Sequence, residues 1–142
     1  MLGRKDYTKE ELDNATQAVT KQIAAYRKLA KAVEATGDKK SEAALAGLEP
    51  ILFNNMVLTL DRYFVHRLRM VTGKDTNPLN ELELLTESLM NNGGVLRGNN
   101  VIKYVPEDAV LNLEPGAKIS LSAADFEQFA KGVLAEIDAK FA

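Results

Sequence analysis

Cysteine is absent from the 142 residues, and histidine occurs once, as His66. The first absence excludes disulfides, thiolate zinc sites and cysteine nucleophiles. The second excludes the ferritin-like di-iron pattern, which needs Glu-x-x-His pairs from two helices. Any metal site would have to be built from carboxylates alone. Long apolar runs are also missing. The longest, "ILFNNMVLTL", is interrupted by Asn54 and Asn55 and is too short to span a bilayer. The opening "MLGRKDYTKEEL" holds no apolar segment of the secretory kind. No Gly-Lys phosphate loop, Gly-x-Ser-x-Gly elbow or GxGxxG fingerprint occurs. "NNGGVLRGNN" is rich in glycine, but it follows a helix instead of joining a strand to one, and reads as a turn. These absences lead us to expect a soluble, cytoplasmic chain with no cofactor, no metal and no membrane partner.

The residues that are present describe a folded domain. Apolar content is 46% and charged content 27%, within the range of globular proteins. The net charge of −2 is unevenly placed. Residues 1–40 hold nine Lys/Arg against six Asp/Glu, residues 41–74 four against three, and residues 75–142 five against eleven. The halves can attract each other within one fold or between subunits. Nucleic acid is not an expected partner, because phosphate neutralisation needs a denser basic patch than this one.

Periodicity predicts a mainly α fold: a four-helix arrangement with a long helical hairpin at the N-terminus. The first helix spans 8–36, with Thr8 and Glu11 as a capping box and Gly37 as the stop. Leu12, Ala15, Val19, Gln22, Tyr26, Ala30 and Val33 mark its inner seam. The second helix is expected over 41–72, kinked or restarted near Pro50, with Phe53, Val57, Leu60, Phe64, Leu68 and Val71 on its core face. A third spans 78–91, capped by Asn77 and begun by Pro78, with Leu79, Leu82, Leu85 and Leu89 inward. Within 95–121, "NVIKYV" and "AKISLS" look like the strands of a small β-hairpin. The last helix, 123–141, has Ser122 and Asp125 as its capping pattern and Phe126, Phe129, Val133, Ile137 and Phe141 inside. Nothing in composition or repeats divides the chain, so residues 1–142 are read as a single domain.

The stretch that could carry chemistry is "DRYFVHRLRMVTGKDTNPLNELELL". On a continuous second helix, Asn55, Thr59, Arg62, His66 and Arg69 form one polar stripe opposite the core face. Leu52, Met56, Leu58, Tyr63, Val65 and Met70 flank it, which is unusual for the open surface of a monomer. A neighbouring helix, a sister subunit or a ligand is expected to cover it. If it is buried, Arg62 and Arg69 need carboxylates, and Glu81, Glu83 and Glu87 on the next helix are the candidates. Asp61 and Arg67, six residues apart, do not face each other on a helix, so each is expected to meet another element. A candidate oxyanion site would gather Arg62, His66, Arg69, Lys74 and Asn55 around a phosphate or carboxylate.

"YFVHRLR", "GKDTNPLNELELL", "VIKYVPEDAVLNLEPG" and the C-terminal "FAKGVLAEIDAKF" together resemble an uncharacterised family of small bacterial, mainly helical proteins. That resemblance implies no activity, cofactor or catalytic residue. The reading that follows is a small soluble, non-enzymatic interaction or structural protein that self-associates as a homodimer. The alternative is a small-molecule oxyanion binder or weak enzyme using the Arg/His cluster.

Overall fold

The computed structural model describes residues 3–142, and among them the chain is mainly helical. Helix α1 spans Lys9–Thr36, α2 Lys39–Tyr63, α3 Arg69–Thr72, α4 Pro78–Asn91 and α5 Ala123–Phe141, with a 3-10 turn at Pro106–Asp108. The ends of these helices follow from their caps. Glu11 N–H donates to the Thr8 hydroxyl (3.1 Å) while the Glu11 carboxylate accepts from Thr8 N–H (3.0 Å). Gly37 takes φ 67°, a left-handed conformation that favours glycine, and stops α1. Asp38 then caps α2 at once, accepting from Lys40 N–H and the Ser41 hydroxyl. Two residues therefore turn one long helix back on the other.

Helix α5 packs against α1, α2 and α4, and α2 against α1, α4 and α5. All five phenylalanines of the chain are at most 1% exposed. Tyr26 meets Phe53 edge-on at 5.0 Å, and Phe53 lies 5.7 Å from Phe126. At the other end, Tyr7 packs on Phe64 at 5.1 Å and Phe141 at 5.7 Å. Such ring pairs add to the apolar burial that holds the helices together. The core does not reach the tip of the α1–α2 hairpin. No residue from 27 to 52 is fully buried.

Three expectations need correction. First, the second helix does not run through to residue 72. It ends at Tyr63, and only α3 is helical beyond it. Residues 66–68 instead lie beside the N-terminal segment: Arg4 N–H donates to His66 C=O, and Leu68 N–H donates to Arg4 C=O. Second, no β-hairpin forms. Among the described residues there are only isolated bridges, one of them joining Val95 to Lys118. The stretch 117–119 pairs with 94–96, through Leu96 N–H to Ala117 C=O and Ile119 N–H to Gly94 C=O. The other expected strand turns elsewhere. Lys103 N–H donates to Lys74 C=O, and the Thr76 hydroxyl bridges Val105 N–H and Lys103 C=O. Ile102, Ile119 and Leu121 are buried like strand residues, but on separate loop segments. Third, α2 is not restarted near Pro50 but runs continuously through it.

Candidate interaction surface on the second helix

The break after Tyr63 disperses the predicted cluster. Asn55, Thr59 and Arg62 lie on α2 and are exposed, whereas His66 lies in the turn that follows, also exposed. Lys74 is exposed on a later turn. Arg69 begins α3 and is already engaged, donating to the Glu83 carboxylate and to Asn80 Oδ1 (3.3 Å). Arg62 lines a hollow of about 500 Å³ with Leu58, Thr59 and Tyr63, while Arg69 lines a separate cleft of about 130 Å³ with Val65, Arg67, Thr72 and Glu83. Of the five residues named for an oxyanion, Arg62 and Arg69 thus line different hollows.

The expected carboxylate partners divide. Glu83 takes Arg69. Glu87 accepts from Asn91 Nδ2 (2.9 Å). Glu81 does not meet an arginine. It is 2% exposed and accepts Val110 N–H (2.8 Å) and Leu111 N–H (3.0 Å). Burial pushes its carboxyl above the usual carboxylate range, and the two backbone donors oppose that rise. Asp61 and Arg67, expected to part, pair with each other at 3.0 Å. The helix stops between them, so the chain curls back and brings Arg67 over Asp61, a contact that an unbroken helix forbids.

Asn54 and Glu49 position α2, and Asn77 ties α3 to α4. Asn54, which interrupts the apolar run in sequence, donates to Ile119 C=O (2.8 Å) and accepts Leu121 N–H (3.0 Å). Asn77 caps α4 by accepting Leu79 and Asn80 N–H, and it also donates to Thr72 C=O (2.7 Å). Glu49 turns inward to accept Ala123 N–H (2.8 Å) at the positive start of α5. With Glu49 withdrawn, no charged side chain remains on α2 from residue 43 to 59.

The outward side of α2 is therefore free of charge only in its middle, between Lys40 at one end and Arg62 at the other. At 100° per residue, Ala44, Leu48, Ile51, Asn55, Leu58 and Arg62 fall within about 40° of one line, opposite Phe53 and Leu60. Ile51 is 69% exposed and Leu48 42%, while Leu58 is half-buried. A wheel begun at Ile51 hides this line, because Ala44 and Leu48 precede Pro50. Reading α2 from Lys39 would have shown it. Among the described residues α2 is also the one helix long and apolar enough to cross a membrane, with a mean hydropathy of 1.4 over 18 residues. Its inner side is nonetheless core, with Phe53, Val57 and Leu60 at 0% exposure. Comparison with family models, curated proteins and solved structures returns no match.

Proposed function

We propose that this protein is a small, cytoplasmic, non-enzymatic interaction protein that self-associates through the outer side of α2. The observation that carries the reading is Ile51, a large aliphatic side chain 69% exposed midway along the outer side of α2, between the charged ends at Lys40 and Arg62. Scattered single apolar residues need no explanation, but a continuous line of them marks an interaction site. The arginines next to it support the same reading, since Arg67 and Arg69 are already neutralised within the chain by Asp61 and Glu83. A free oxyanion at Arg69 would have to displace Glu83.

The strength expected of such a contact is modest. Fully burying a Leu or Ile is worth roughly 1.5–3 kcal/mol. Leu48 and Ile51 are 42% and 69% exposed, so from two copies they supply roughly 3–7 kcal/mol, against an association cost of about 4–15 kcal/mol. That balance describes a weak dimer that forms at high chain concentration. Linkage supplies the test. The urea midpoint of the native chain should rise with protein concentration, and Ile51→Glu should abolish the rise while leaving the midpoint of the dilute protein unchanged. A midpoint independent of concentration in the native chain contradicts the reading.

A further inference from the structure

We infer that residues 104–113 form a strap that opens from α4 and α5 as one piece, with the Glu81 carboxylate as its latch. The segment is folded on itself. Asn112 takes φ 55°, a left-handed conformation that asparagine tolerates better than most residues. Its side-chain nitrogen donates to the carbonyls of Pro106 (3.0 Å) and Ala109 (2.9 Å). Asp108 N–H and Ala109 N–H bond back to Val105 and Pro106 C=O, and the Tyr104 hydroxyl donates to Leu113 C=O, tying the two ends together. None of these bonds involves α4 or α5, so the strap can leave both helices with its own structure kept.

Its attachment to the body is sparse by comparison. Val105 N–H donates to the Thr76 hydroxyl at the start of the strap. Beyond that point, among the described residues, the hydrogen bonds that leave it are the two to Glu81, from Val110 and Leu111 N–H. Within 105–113 only Ala109 is fully buried, while Val110, Leu111 and Leu113 are half-buried. Gly132 of α5 makes the room for Val110. A Cβ there would lie 3.1 Å from Val110 Cγ2, tighter than ordinary contact, and 3.6 Å from Pro78 Cγ. A segment with few buried side chains and one polar anchor belongs to the low-stability end of a fold. Lifting it bares Glu81, which is now 2% exposed and lies one helical turn from Pro78.

The latch responds to pH because it holds no cation. Burial raises the Glu81 carboxyl and the two strap amides oppose that rise, and no charged side chain of α4 or α5 enters the balance. Tyr104 is its titratable neighbour, and burial pushes that hydroxyl up to about 12, so it stays neutral where carboxyls titrate. Glu107 and Asp108 on the strap are exposed. With the strap lifted, Glu81 meets water and ionises near the ordinary 4.5, whereas under the strap it keeps its proton to higher pH. Opening therefore becomes easier as pH rises above 4.5, and stops changing once the closed form has ionised too.

Hydrogen exchange at the Val110 and Leu111 amides, divided by the intrinsic rate at each pH, is the test. The strap predicts one protection shared by both amides, well below that of Phe129 in α5, and falling above pH 4.5 before it levels. Glu81→Gln should remove the fall. Gly132→Ala gives a second reading should the glutamine variant fold poorly. It suits the interior of α5 but crowds Val110, so exchange at Val110 and Leu111 should quicken by about tenfold while Phe129 stays slow. Exchange at Val110 and Leu111 as slow as at Phe129 in the native chain would show that the strap opens only when the whole chain unfolds, and would overturn the inference. Unequal protection of the two amides, or a pH course that Glu81→Gln leaves unchanged, would overturn it as well.

Discussion

Arg67 reaches three acceptors at once: Asp61 Oδ1 at 3.0 Å, Phe64 C=O at 3.0 Å and Leu79 C=O at 3.3 Å. Its side chain is 9% exposed and that of Asp61 16%, so neither charge has water to fall back on. Removing one partner leaves the other buried and unpaired, which costs far more than the pair itself contributes. Asp61→Ala should lower stability by about 3 kcal/mol in urea unfolding. Glu81 makes a different prediction, because its partners are two amides and no cation. Its carboxyl is raised in the fold from the ordinary 4.5. Below that ordinary value it is protonated both folded and unfolded and adds no pH dependence. As pH rises from there through the folded value the unfolded chain ionises first, so this group's contribution to stability falls and then levels off. Glu81→Gln should remove that decline. The difference in unfolding free energy between the native chain and the variant should shift in the variant's favour as pH is raised above 4.5. The same residue shows a limit of sequence reading. Glu81 sits in the first turn of a helix, where acid is common, and nothing in its neighbours announces that residues 110–111 will close over it.

At the scale of elements, the helices were legible because their signals are local. The Thr8–Glu11 and Ser122–Asp125 boxes, Gly37 and Asn77–Pro78 each fix a boundary through bonds within a few residues, and those bonds form. The end of α2 was not legible, since the apolar period continues through Leu68 and Val71 without a glycine or proline. What ends it is distant in sequence. The segment at Gly3–Arg4 takes the backbone of residues 66–68 into pairing, and Arg4 is itself held by the Glu11 carboxylate (2.7 Å) and stacked over Tyr7. The missing hairpin has the same cause, as Thr76 and Lys74 claim the backbone that a second strand would have used. Gly3 is the testable point. A Cβ there would lie 2.9 Å from Leu68 Cα, closer than real contacts allow. Gly3→Ala should cost about 1–3 kcal/mol through overpacking against backbone. It should also speed hydrogen exchange at the Arg4 and Leu68 amides; exchange as slow as in the native chain at both sites would show that this segment does not hold the turn.

For the whole molecule, one helix faces two ways. The inner side of α2 completes the core, with Glu49 turned in to α5 and Asp61 to Arg67, and the middle of the outer side carries no charge between Lys40 and Arg62. From the sequence, only Leu58 of that outer side falls among the flanks of the polar stripe, and Leu48 and Ile51 lie outside it, on a helix continued nine residues past its end at Tyr63. The polar residues proposed for chemistry then part company: Arg69 with Glu83, His66 into a turn, and Arg62 at the edge of an apolar line. What remains is a surface suited to a second copy. Sedimentation equilibrium across a hundredfold range of chain concentration, with Ile51→Glu as the control, tests that claim most directly. The account predicts a native mass that climbs from one chain, 15.6 kDa, towards two, with the variant staying at one. A native mass that stays at one chain over the whole range, or a variant that dimerises equally well, would contradict it.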